Sequence, residues 1–132
     1  MAKKARKYAV PGLAKEYHES HNRCACCWRV RRRGEDGSLQ CHHLLSGRVG
    51  RPDALWNFLL LCARCHGQLG HGRENLAVCL TLKMQEDYVT YDIEAMQAHV
   101  SRFGREKMPG PAPLPEWILT ARRDSWQQQL AK

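Results

Sequence analysis

The residues able to do chemistry fall in two interleaved groups along this 132-residue chain. Cys24 and Cys27 form one C-x2-C pair and Cys62 and Cys65 a second, with 34 residues between the pairs. A C-x2-C turn sets two thiolates on one side of a tight knuckle, and two such knuckles complete the tetrahedral sulfur shell of a structural zinc. The plainer alternative is a set of buried free thiols packing as small apolar residues. Cys26 cannot ligate the same four-coordinate ion alongside both pairs, and spacing favours Cys24 and Cys27. Cys41 and Cys79 have no partner at knuckle spacing and are expected to pack.

With four sulfurs assigned to structure, the second group is His42 and His43 in "CHHLL", Asn57 in "LWNF" and His66 in "CARCH". Imidazole titrates near pH ~6.5, so it can accept a proton at neutral pH or ligate a metal. Either histidine of the pair could instead merely pack or hydrogen-bond, and His71, five positions after His66, is an alternative ligand. Adjacent residues of a regular strand point to opposite faces. His42 and His43 can therefore share a site only at a strand end, bend or bulge.

The order His42, His43, Asn57, His66, framed by the two cysteine pairs, resembles the HNH nuclease motif in its four-cysteine form. Over roughly residues 22 to 72 the chain is similar to phage and prophage HNH endonucleases, and more distantly to junction-resolving phage nucleases of the same ββα-metal fold. The resemblance implies that His42 ligates a catalytic divalent metal, that His43 is the general base, that Asn57 holds the loop orienting that base, and that His66 is the second protein ligand. It also implies hydrolysis to 5′-phosphate and 3′-hydroxyl ends. An ion held by two protein side chains keeps positions open for phosphate, leaving oxygen and water. Histidine ligands suit Mn2+, Ni2+, Co2+ or Zn2+ better than Mg2+, which substrate phosphate would still allow.

The charge distribution suits a polyanion. Residues 1–51 hold twelve Lys or Arg against four Asp or Glu, and residues 52–132 nine of each, so the whole net charge of +8 lies in the first half. A solubilising surface would not need that concentration. Arg29, Arg31, Arg32 and Arg33 follow the first knuckle, and Arg48 and Arg51 lie between the histidine pair and Asn57. Guanidinium groups bind phosphate bidentately, so these six are candidate contacts to a DNA backbone, though some would serve only as solvated surface. None forms a base-reading code, and weak sequence preference is expected. The absence of an apolar span or signal-peptide core points to a cytoplasmic protein without a membrane partner, in the host cytoplasm for a phage-encoded one. Cysteines there more often hold metal than form disulfides.

The elements that must position these residues are short. An α+β fold is expected: a small ββα-metal, treble-clef-like core with structural zinc, flanked by helices. Residues 1–21 read as a basic arm and short helix, 22–72 as the core, and 73–132 as a helical extension with a proline-rich linker at 109–115. Within the core, a basic strand, a polar turn at Gly34 to Ser38 and a strand carrying the histidines suggest a hairpin. "LSGRVGRPDA" reads as a long exposed loop and "LWNFLLLC" as a buried strand. "ENLAVCLTLKMQED" alternates like a strand but is long enough for a helix, which is preferred. Asp92 caps a helix bearing Ile93, Met96, Val100 and Phe103 that stops at Gly104, and a last helix uses Trp117 and Trp126 as apolar anchors.

The functional expectation is a metal-dependent DNA endonuclease. Its rivals are a non-catalytic zinc module that binds nucleic acid or a protein, and a resolvase that selects branched DNA. Oligomeric state stays open.

Overall fold

A computed structural model of the chain describes residues 8–30, 39–70, 72–104 and 107–131, and of Arg48 the backbone alone. The arm at 1–7, the expected turn at Gly34 to Ser38, the side chains of Arg31, Arg32, Arg33 and Arg48, and His71 lie outside the described residues.

Five apolar or thiol side chains in a row, "FLLLC", form strand β2 (Phe58–Cys62), and every one is buried. A strand with no polar face must be covered on both sides. Its antiparallel partner is β1 (Leu39–His43), with Leu39 opposite Cys62 and His43 opposite Phe58. Among the described residues the histidine strand thus pairs with β2, and the expected basic strand is represented only by an isolated bridge from Val30 to Arg23. Helix α1 (Leu13–Ser20) covers Phe58 with the ring of Tyr17 at 5.4 Å. Cys62 ends the strand and starts helix α2 (Ala63–Leu69), which carries Cys65 and His66.

The other edge of β2 is closed by two unlike donors. The Ala25 N–H bonds Leu60 O at 2.8 Å, and the Lys83 ammonium bonds Phe58 O at 2.7 Å. An open edge would invite pairing with another chain, so the sheet can remain two-stranded because both donors occupy it.

Lys83 comes from helix α3 (Arg73–Glu86), the segment whose apolar residues alternated like a strand. The helix wins because its buried residues Ala77, Leu80 and Lys83, with Cys79 and Leu82 beside them, form one wide stripe. Lys83 has no exposed surface. Its Nζ also lies within hydrogen-bond distance of Leu55 O at 2.9 Å, Asp87 Oδ2 at 2.7 Å and Thr90 Oγ1 at 2.6 Å, above the Tyr17 ring, so three N–H groups are shared among four acceptors. Burial pulls the Lys83 pKa down, opposed by the Asp87 carboxylate. For Asp87, burial pushes up but bonds from Lys83, Thr90 and Tyr17 outweigh it and hold the carboxyl below its usual range.

Helix α4 (Ile93–Ser101) begins as expected, with the Asp92 carboxylate accepting the Ala95 N–H at 3.0 Å. The proline-rich stretch lies against α3, where the Ala112 N–H bonds Ala77 O. Helix α5 (Glu116–Leu130) corrects one expectation: Trp117 and Trp126 are 36% and 58% exposed, and the anchors are Ile118 and Arg122. Arg122 donates from Nε to Cys26 O at 2.8 Å and lies 4.3 Å over the Trp28 ring, so a buried cation docks the helix. The loop after β1 also differs from expectation. Leu44, Leu45, Val49, Pro52 and Asp53 are buried, with a 3-10 turn at Gly47–Val49 whose last carbonyl is bonded by His99 of α4. No helix among the described residues is long and apolar enough to cross a membrane.

Replacing Lys83 by Met keeps the volume but leaves two buried carbonyls without their donor. Urea denaturation of Lys83→Met should show a loss of about 3–5 kcal/mol; a loss below about 1 kcal/mol would show that the ammonium is not what closes this edge.

Candidate metal centre and active site

The first knuckle is built by backbone geometry. The Trp28 N–H bonds Cys24 O at 2.9 Å, the Cys24 N–H bonds Arg29 O at 2.9 Å, and the Cys27 N–H points to Cys24 Sγ at 3.5 Å. Closing this turn forces Trp28 to φ +67°, left-handed backbone that a bulky residue enters only when its surroundings hold it there. They do: the guanidinium groups of Arg23 and Arg122 lie over its ring, 4.9 and 4.3 Å from the centroid, and its indole N–H bonds Glu86. Glu86 also takes Arg23 at 3.1 Å.

The sulfurs of Cys24, Cys27, Cys62 and Cys65 all lie within 4.8 Å of one another and all four residues are buried. Zinc–sulfur bonds of about 2.3 Å place tetrahedral sulfurs about 3.8 Å apart, and Cys27 Sγ lies 3.8 Å from Cys62 Sγ. The donor set therefore fits a zinc ion. Hydrogen bonds within the group drive the thiols apart in acidity. The bond with Cys27 raises Cys24 and the bond with Cys24 lowers Cys27, lowers Cys62 and raises Cys65. Cys26 is fully buried beside the cluster but outside it. Burial pushes the thiols of Cys41 and Cys79 up to about 12, so at neutral pH they are protonated packing groups.

His42 and His43 are the last two residues of β1, and regular pairing sends them to opposite faces. His42 is 2% exposed, and its ring meets that of His66 edge to face with centroids 5.0 Å apart. Two imidazoles sharing one ion at about 2.1 Å have centroids about 4.5–5.2 Å apart, so the spacing of this pair would allow a shared ion. His43 turns the other way, edge-on to Phe58 at 5.2 Å, with Nε2 bonded to Asp53 Oδ1 at 2.9 Å. The structure thus brings His42 to His66 and gives His43 a separate partner at the same strand end.

Asn57 is fully buried and its amide is saturated with backbone. Oδ1 accepts the Leu45 N–H at 2.7 Å, and Nδ2 donates to Leu45 O at 3.1 Å and Pro52 O at 2.9 Å. The Leu44 N–H bonds Asn57 O at 2.8 Å. These bonds tie both ends of the loop that separates the histidines from Asn57. Asp53 is the only acid between His43 and Asn57 in the sequence, a signal that reading the loop as exposed had hidden.

Of the candidate phosphate contacts, Arg29 and Arg51 are exposed. Arg29 shares with Arg64, which the sequence reading missed, a groove of about 790 Å3 beside Cys27, Cys62 and Cys65. Its other wall is α5, with Glu116 and Asp124, so the groove carries both signs rather than a single positive field.

The cluster separates Cys26 from its neighbours in a testable way. Elemental analysis should find one zinc per chain in Cys26→Ala and little or none in Cys65→Ala, with circular dichroism showing loss of fold in the latter; equal zinc in both would contradict the assignment of ligands.

Comparison with known proteins adds one finding. The family model described as HNH endonuclease matches residues 24–72, the stretch that begins at the first cysteine of the cluster and runs past His66. No curated protein and no solved structure matches the chain. With the cysteine pairs, the antiparallel strands and the helix that carries the last histidine in this order, residues 24–72 are an HNH endonuclease domain.

Proposed function

We propose that this protein is a metal-dependent endonuclease that hydrolyses DNA phosphodiester bonds, by nicking or by cutting both strands, with weak sequence preference. The observation that carries this reading is the 5.0 Å approach of the His42 and His66 rings at the strand end where His43 also lies. A non-catalytic zinc module would have no need of two imidazoles brought together at the end of a strand that also carries a third.

Within this reading His42 and His66 hold a divalent ion, which when bound acts as a Lewis acid on the phosphate and the leaving oxygen. His43 accepts a proton from the water that attacks phosphorus. The bond from phosphorus to the 3′ oxygen breaks, and that oxygen takes a proton from solvent. Asn57 does not touch substrate; its three amide bonds hold the loop against β1 and so set where His43 stands. Of the six candidate arginines, Arg29 and Arg51 are exposed, where a DNA backbone could reach them. Arginine–phosphate contacts position the duplex without reading its sequence, which accords with weak preference.

Plasmid cleavage with Mn2+, Mg2+, Ni2+, Co2+ and Zn2+ tests the proposal. His43→Ala should slow cleavage by about a hundredfold or more, and His42→Ala and His66→Ala should abolish metal-stimulated cutting while retaining the cysteine-bound zinc. If His43→Ala cuts as fast as the parent, the base is wrongly assigned. A protein that binds DNA and cuts with none of these metals is not a nuclease.

A further inference from the structure

We propose that Asp53 is the positioning residue for His43, holding the proton on Nε2 and so directing base chemistry through Nδ1. This rests on the reading of His43 as the base. The contact is direct, 2.9 Å from Nε2 to Oδ1, with the two side chains 12% and 6% exposed. The ring is fixed a second time by its edge-on contact with Phe58 at 88°. A carboxylate on one imidazole nitrogen selects the tautomer protonated there, sets the ring plane and stabilises the imidazolium that forms when the other nitrogen takes a proton.

The placement of Asp53 is itself built. Its second oxygen accepts the Val10 N–H at 3.0 Å and its own N–H bonds Tyr8 O at 3.0 Å, so the segment before α1 clamps it from outside. From inside, Asn57 Nδ2 holds the carbonyl of Pro52, the residue immediately before Asp53, while the same side chain holds Leu45, two residues after His43. The amide therefore fixes both sides of the His43–Asp53 pair. A buried asparagine that touches no substrate acquires in this way a route to the base, through Pro52 and Asp53.

The competing reading is that Asp53 only anchors residues 8–10. Two variants separate the roles. Asp53→Asn loses the charge that selects the tautomer, and Val10→Pro removes the N–H on the other oxygen while leaving the carboxylate on His43. In plasmid cleavage by the zinc-loaded protein, Asp53→Asn should lower kcat about ten- to a hundredfold with KM within twofold, Asp53→Glu should recover part of it, and Val10→Pro should stay within threefold of the parent. Nitrogen-15 spectra of the His43 ring, read without the catalytic metal, should show a protonated Nε2 in the parent and mixed tautomers in Asp53→Asn. The inference is overturned if Nδ1 carries the proton in the parent, if Val10→Pro loses as much kcat as Asp53→Asn, or if Asp53→Asn cuts like the parent while His43→Ala does not. If His43→Ala itself cuts like the parent, the base assignment fails instead, and the ring spectrum still reports whether Asp53 holds Nε2.

Discussion

Four sulfurs drawn within 4.8 Å of one another join residues 24–27 to residues 62–65, and most of the architecture follows from that joint. Cys62 is both the last residue of β2 and the cap position of α2, so the tie fixes the corner between strand and helix. His66 follows Cys65 directly, and its ring reaches His42 because the corner cannot open. The first knuckle, far away in the chain, is thereby locked to the corner of β2 and α2, beside an apolar core that includes Leu39, Phe58, Leu60 and Leu69. Zinc affinity in such a joint is folding free energy.

Around the joint, buried polar side chains act together with the apolar core. Lys83 fills an open strand edge, Asn57 closes a loop, Arg122 docks the last helix on the knuckle, and Glu86 gathers Arg23, Trp28 and Arg122. Each group is expensive to bury alone and tolerable only with its partners. The arrangement therefore stands as a set, and it discriminates against slipped registers because a shift of one residue would leave several of these groups unsatisfied.

What could be read from the chain beforehand follows from the range of the interactions. Ligand spacing is local and chemically demanding, so Cys24, Cys27, Cys62 and Cys65 were recognisable as a set, and the Asp92 cap and the buried "FLLLC" strand were likewise short-range signals. The docking of α5 was not legible, because it depends on Arg122 meeting a carbonyl 96 residues away, and tryptophan content pointed to Trp117 and Trp126 instead. The same holds for Lys83, 25 residues from Phe58, and for the loop at 44–53, whose glycine and arginine content suggested exposure although His99 and Asn57 hold it inside. The alternation of His42 and His43 was foreseeable from strand geometry; that each face held a different partner was not.

The proposed function requires two metals at one corner, a structural one on sulfur and a catalytic one on imidazole. Anomalous diffraction from zinc-loaded crystals soaked in manganese tests this most directly. The zinc peak should lie among Cys24, Cys27, Cys62 and Cys65, and the manganese peak between the rings of His42 and His66. Manganese bound elsewhere with neither histidine as ligand, or zinc absent from the cysteines, would contradict it.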